Sequence, residues 1–333
     1  MKKYETKHKL KCNADGKFRV LMMSDIQDCL QYDERSLRAV SALFNETNPD
    51  LVILGGDNCD GRKIFSAEEL KTYLDIFTKP MEERKIPWAH VYGNHDYDVK
   101  CDMDTQQKIY ESYPMCVSKH TDSTVYGKSN FVLPIYDKNG ENMVFNVWGI
   151  DTNNRANSLE RFLPKDKNDI YAATSCLPKN VLGAGAWDIV HFDQLMWYWN
   201  TSCEIEKTCG QKIPGLMCMH FPPTETLAIA ANPEKCIESG SCLESIGTGA
   251  LNSGLFATVL QRGDIKAIGC GHVHKNDFCG EYCGIKICFD GCVGYNECTT
   301  YGDDETRGGR LFEINENDPW NIKTEMIYAK DLI

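Results

Sequence analysis

Residues 18–25 read FRVLMMSD, a short run that is apolar at nearly every position and ends on a carboxylate, Asp25. Such a run suits a strand buried on both faces, as strands of parallel sheets are. The same device recurs downstream. ERSLRAVSALFNET (34–47) places Leu37, Val40, Leu43 and Phe44 at helical spacing, with Pro49 closing the segment. DLVILGGD (50–57) is a second buried strand, and AEELKTYLDIFTKPMEERK (67–85) a second helix expected to break at Pro80. WAHVYGNHD (88–96) is a third strand. Strand and helix in alternation predict parallel strands joined by right-handed crossovers, an α/β fold.

Each of these strands runs into polar residues at its carboxyl end: Asp25 and Gln27, then Asp57, then Asn94 with His95. Open α/β sheets bind ligands at that edge, so distant segments deliver polar groups to one place. Farther on, NFVLPIYD (130–137) and ENMVFNVWGID (141–151) flank Asn139-Gly140, a hairpin signal. FDQLMWYWNTSCEIE (192–206) is an amphipathic helix. SGLFATVLQRG (253–263) is another, closed by Gly263. IPGLMCMHF (213–221) is a strand ending near His220, and IKAIGCGHVH (265–274) one ending in His272 and His274. The tail alternates in strand fashion in GIKICFDG, GRLFEIN and NIKTEMIYA. With no repeat or linker, the 333 residues are expected to form one domain, with loop excursions at about 99–130, 152–185 and 224–250.

Oxygen and imidazole donors without thiolate suit Mn, Fe, Zn or Mg. A carboxylate such as Asp57 has two oxygens and can bridge two ions ~3.5–4 Å apart, the arrangement that clamps both oxygens of an in-line phosphoryl displacement. Each residue alone has a plainer reading: Asp25 as a helix cap, Asp57 and Asn94 as turn residues, His220 as a core histidine. Their shared strand-end placement, in order, favours the metal site. His8, His90, His120 and His191 lack that placement and are read as ordinary. Asp60, Asn276 and Asp277 are equally suited to turns, and Tyr97, Trp187, Phe221 and Tyr295 are candidates for a substrate wall, although aromatics more often belong to the core.

In order, SDIQ (24–27), GGDNCDG (55–61), YGNHD (92–96), His220 in MHFP, and GHVH (271–274) resemble the signature D-x-H, G-D-x-x-D-G, G-N-H-D/E, H, G-H-x-H of the calcineurin-like metallophosphoesterase superfamily. The GHVHKNDF block (271–278) and its surroundings look like the fungal and plant purple-acid-phosphatase-like branch. The resemblance implies a four-layer αββα sandwich, two mixed β-sheets flanked by helices. It also implies two divalent or trivalent metal ions, with Mn favoured and Fe, Zn or Mg compatible. Asp25, Gln27 and His274 would hold the first ion, Asp57 would bridge, and Asn94, His220 and His272 would hold the second. His95 would protonate the leaving group, Asp96 would orient His95, and a metal-bridging hydroxide would attack phosphorus.

Two positions depart from the signature. Gln27 stands where His is usual, a harder and neutral ligand that favours Mn²⁺. A similar D-x-Q occurs in manganese-dependent ADP-ribose/CDP-alcohol diphosphatases. Asp60 stands where true purple acid phosphatases have a ligand tyrosine, so no tyrosinate-to-iron colour is expected. The implied activity is hydrolysis of phosphate mono- or diesters of a small phosphorylated substrate. The rivals are a nucleotide diphosphatase and a non-catalytic metal-bound scaffold for phospho-ligands or proteins.

A net charge of −12 disfavours nucleic acid and anionic membranes as partners. No apolar run approaches the ~18 residues of a membrane span, and MKKYETKHKLKCNADG has no apolar signal-peptide core, its basic residues reading as an exposed edge strand. Seventeen cysteines, an odd number without a CxxC pair in the crowded stretch Cys279, Cys283, Cys288, Cys292 and Cys298, read as core hydrophobes in a reducing cytoplasm. Oligomeric state is not legible.

Overall fold

The computed structural model describes residues 4–119, 124–155, 187–249, 251–296 and 304–333. Most of the 152–185 excursion, with His120, Cys176 and Cys298, lies outside the described residues. Two mixed sheets form. The smaller holds β2 (Lys17–Met23), β3 (Leu51–Leu54), β4 (Trp88–His90), β12 (Gly308–Asn315) and β13 (Lys323–Tyr328) in the order β13-β12-β2-β3-β4. The larger holds β1 (Leu10–Lys11), β5 (Phe131–Tyr136), β6 (Met143–Gly149), β7 (Gly215–Met219), β8 (Ile237–Ser239), β9 (Ile265–Cys270), β10 (Cys279–Tyr282) and β11 (Ile285–Phe289) in the order β1-β5-β6-β7-β9-β11-β10-β8. As expected, β2, β3 and β4 pair in parallel.

Alternation along each strand builds the layers. In β2, Val20 and Met22 join an apolar cluster with Leu216 and Cys218 of β7, between the sheets. Leu21 and Met23 point the other way, onto Val40, Leu43 and Phe44 of α1 (Glu34–Thr47) and Leu70 and Leu74 of α2 (Ala67–Phe77). Met217 and Met219 of β7 face Leu195 and Tyr198 of α5 (Phe192–Cys209) and Val259 of α8 (Leu255–Arg262). The four-layer expectation is met.

Local chemistry sets the element ends. Asp33 caps α1 by accepting from Arg35 N, and Asn48 closes it in the left-handed region. The second helix breaks before Pro80, not at it. α2 stops at Phe77, and Pro80 sits in the first turn of α3 (Lys79–Arg84), where its missing N–H costs nothing. The 99–130 stretch carries one short helix, α4 (Met103–Glu111). The 224–250 excursion is more regular than expected, with α6 (Thr226–Ala230), α7 (Pro233–Cys236) and β8. Among the described residues of the basic N-terminus, Leu10 and Lys11 form the strand, parallel to β5 at the sheet edge. Nine of the fifteen described cysteines are buried as free thiols. No helix among the described residues is long and apolar enough to cross a membrane.

His90 is a core histidine. Its ring stacks on Tyr110 at 4.0 Å, with Nδ1 2.8 Å from Ser118 Oγ and Nε2 3.2 Å from Gln107 Oε1. Burial pushes its pKa down to about 3. The unfolded chain therefore binds a proton below pH ~6.5 that the folded chain excludes, and stability falls on acidification by roughly 1.4 kcal/mol per pH unit between about 6.5 and 3. His90→Gln should flatten the acid limb of a urea-denaturation series, whereas an unchanged limb would remove His90 as its source.

Candidate metal centre

Every predicted ligand sits just past a strand end. Asp25 and Gln27 follow β2, Asp57 follows β3 and Asn94 follows β4, all from the smaller sheet. His220 follows β7, and His272 and His274 follow β9, from the larger. The first two loops brace each other: Asp25 N donates to Gly56 O and Gln27 N to Asp57 O, each at 3.0 Å. Asp25, Gln27, Asp57 and His272 all hold positive φ, at 53°, 43°, 50° and 73°. Non-glycine residues there cost on the order of 1–3 kcal/mol each, a strain that concentrates at functional sites. Gly294 packs under the Asp25 loop, where a Cβ would overlap the Ile26 carbonyl oxygen.

The side chains converge on one buried spot. Donor atoms of Asp25, Asp57 and His220 all lie within 4.8 Å of one another. His220 Nε2 stands 3.5 Å from Asp57 Oδ2 and 3.3 Å from Asn94 Oδ1, while its Nδ1 donates to Gly55 O at 3.0 Å. Asp25 Oδ1 is buried without a hydrogen bond, 3.2 Å from His274 Nε2. Asp25 Oδ2 accepts from the backbone N–H of His272 at 2.9 Å. Gln27 Nε2 donates to Asp57 Oδ2 at 2.8 Å, and a half-turn of that amide presents its oxygen instead.

Charge here follows from crowding in a dry site. Burial opposes the charged forms, but the His220 imidazolium outweighs it and holds Asp57 well below the usual carboxylate range. Burial also opposes charge on His220, yet Asp57 lifts its pKa to about 9. A proton on Nε2 thus stands where carboxylate and amide oxygens meet, the position a cation would take over. Burial and the neighbouring His220 charge push His272 down to about 3, leaving a neutral imidazole as metal ligands require. An orphaned buried carboxylate oxygen, converging oxygens and neutral imidazole fit a hard divalent ion.

Two residues correct the sequence reading. Asp96 does not touch the His95 ring: its carboxylate accepts backbone N–H bonds from Gly93 (2.8 Å), Asn58 (3.0 Å) and Cys59 (3.3 Å). The 3₁₀ turn Asp96–Asp98 points Asp96 inward and brings Asp98 back, its Oδ2 2.9 Å from His95 Nδ1. Asp290 was missed. Ser24 Oγ lies 2.5 Å from Asp25 Oδ2 and 2.7 Å from Asp290 Oδ1. The Ser24 hydroxyl thus bridges the two buried carboxylates. Burial and the Asp25 charge raise Asp290 to about 8. The signal was available, because FD closes ICFD as a strand-end carboxylate like the others.

The residues left open resolve individually. Asn276 Oδ1 accepts from Leu243 N and Glu244 N, and Asp277 from Ser241 N and Tyr328 O–H, anchoring the 224–250 excursion. Asp60 pairs with Arg62 at 2.7 Å, and Tyr97 O–H donates to Asp151. Trp187 and Phe221 wall the site, their rings 4.8 and 4.6 Å from His272.

The chain is similar to known proteins. The family model described as calcineurin-like phosphoesterase matches residues 18–276. A protein of Arabidopsis thaliana named probable inactive purple acid phosphatase 14 is 27% identical over 320 residues, 87% of this chain and 74% of its own. Phosphatase DCR2 of Saccharomyces cerevisiae is 23% identical, covering 93% of this chain and 53% of its own. Among solved structures, a dimetal phosphatase from Danio rerio superposes with a TM-score of 0.56 at 11% identity, over 92% of this chain and 98% of that one. A match over most of the chain, on the fold and ligand loops just described, places it in the calcineurin-like phosphoesterase family.

Proposed function

We propose that the protein is a metal-dependent phosphoesterase acting on phosphate mono- or diesters at a two-ion site. One observation carries this: buried donors of Asp25, Asp57 and His220, from loops of both sheets, lie within 4.8 Å of one another, and the two oxygens of Asp57 are both turned to neighbours, Oδ1 to His95 N and Oδ2 to Gln27. Asp25, Gln27, Asp57 and His274 would hold one ion, and Asp57, Asn94, His220 and His272 the other. Bound there, the ions supply Lewis acidity and a hydroxide-range water at neutral pH.

The chain's own groups do the rest. With Nδ1 engaged by Asp98, His95 offers Nε2 to the leaving oxygen and can protonate it there. Asp57 Oδ1 accepts from His95 N at 2.7 Å, tying the acid to the metal loop. Trp187 and Phe221 exclude water from the His272 side. Gln27 makes Mn²⁺ the expected ion. The yeast relative's name, a phosphatase, supports hydrolysis.

The test is hydrolysis of p-nitrophenyl phosphate and bis-p-nitrophenyl phosphate with added Mn²⁺, beside His95→Ala. Metal-dependent turnover that collapses in the variant is expected, and the preferred ester separates mono- from diesterase. The word inactive in the plant relative's name favours a second reading, a metal-bound scaffold. Stoichiometric metal without turnover of either ester, or of ADP-ribose, would select it.

The exchanged roles of two aspartates give a sharper expectation. Asp98→Ala should cut kcat about 10–100-fold with little change in melting temperature, since it only releases the His95 ring. Asp96→Ala should instead lower stability by roughly 3 kcal/mol, leaving three buried N–H groups without an acceptor. Thermal melts beside kinetics on both variants check this, and the reverse pattern would restore Asp96 as the orienting group.

A further inference from the structure

β10 and β11 form a hairpin turning at Cys283-Gly284, and its register sets Cys279 directly opposite Cys288. One step outward, Phe289 N donates to Phe278 O, so the cysteines occupy a non-hydrogen-bonded pair of the ladder. Such pairs bring their Cα atoms to ~4.5 Å, within the ~4.4–6.8 Å that a cystine spans. Both side chains point into the apolar layer between the sheets. There the Cys288 thiol donates to the Cys279 sulfur at 3.0 Å.

The surroundings divide the two sulfurs into a nucleophile and a proton donor. The hydrogen bond from Cys288 acts first on Cys279, and Arg310 and Lys286 add to it, holding that thiol below the usual range against burial. Burial pushes the Cys288 thiol well up. The metal centre uses neither residue. The outer edge of β10 pairs with the three-residue β8 at Ser239 and Ile237, with a register break at Cys279/Gly280, and α6 and α7 pack beside it. Both thiols are buried, which favours a small oxidant over a bulky disulfide.

We propose that Cys279 and Cys288 are a site of reversible oxidation to a cystine by reagents of the peroxide class. The Cys279 thiolate attacks one peroxide oxygen; the O–O bond breaks, an S–O bond forms, and hydroxide leaves to take a proton. The Cys288 sulfur, giving up its proton, then displaces the S–O oxygen as water. For hydrogen peroxide, two thiols and one peroxide give one disulfide and two waters. The sulfurs lose two electrons and the peroxide gains them.

The test is a hydrogen peroxide titration of the reduced full chain without reductant, followed by acid quench, denaturation, alkylation and peptide mapping. The expected product is a peptide joining Cys279 to Cys288, lighter by two hydrogens. It should appear before the exposed thiols Cys203 and Cys283 are consumed, and dithiothreitol should reverse it. Cys288→Ser should abolish the cross-link and leave Cys279 as a sulfenic acid that dimedone traps. Recovery of both cysteines as alkylated thiols after Cys203 is fully oxidised would overturn the proposal. So would a cross-link from Cys279 to any other cysteine.

Discussion

Asp57→Ala is expected to lower phosphoester turnover by on the order of 10³-fold or more and to strip the site of metal. The carboxylate does three jobs at once. Its Oδ1 accepts the His95 N–H, its Oδ2 accepts from Gln27, and its charge holds His220 at about 9. Asp57→Asn separates these roles. The amide keeps one acceptor for His95 and so most of the stability, but it has only one oxygen to share between two ions. Metal analysis by mass spectrometry and kinetics in excess Mn²⁺ should show both variants inactive, with only the alanine variant destabilised. Turnover in the Asn variant near that of the wild type would mean that Asp57 does not bridge.

Gly294→Ala should be nearly as damaging although residue 294 is not a ligand. The Gly294 N–H donates to Asp25 O, and the position of its would-be Cβ is filled by the Ile26 carbonyl. Backbone cannot yield as a side-chain end does, so the loop carrying Asp25 and Gln27 must move. A cost of about 3 kcal/mol is expected, with a melting temperature lower by roughly 5 °C or more and weakened metal binding. Gly284→Ala is the control: its φ is +77° with nothing within 4 Å, so only backbone strain is at issue, costing about 1 kcal/mol. Equal losses in both variants would show that loop strain, not close approach, is at work.

The strands carrying ligands were legible because each is a short, wholly apolar run broken by a polar residue, and burial on both faces demands that composition. β8 and β10 were not. Ile237–Ser239 is half exposed, and Cys279–Tyr282 contains a glycine and a glutamate, so neither carries periodicity. The division of strands between two sheets was likewise invisible in the spacing and came from the resemblance alone, since parallel order says nothing of which sheet a strand joins. The exchange of Asp96 for Asp98 had a local cause. Side-chain direction in a 3₁₀ turn depends on which carboxylate finds buried N–H donors, and the Gly93, Asn58 and Cys59 amides claim Asp96. Asp290 follows the apolar run ICF (287–289), the same strand-end pattern as the other carboxylates.

The distribution of donors between the layers bears on how the protein matures. The smaller sheet supplies Asp25, Gln27, Asp57 and Asn94, and the larger supplies His220, His272 and His274. A ribosome-bound chain made only as far as the loop after β4 holds the oxygens without these imidazoles, a set that discriminates poorly among cations. For the proposed site, selective loading would wait until β7 and β9 have docked, so that the finished tertiary structure would choose the metal and not whichever ion meets the nascent chain first.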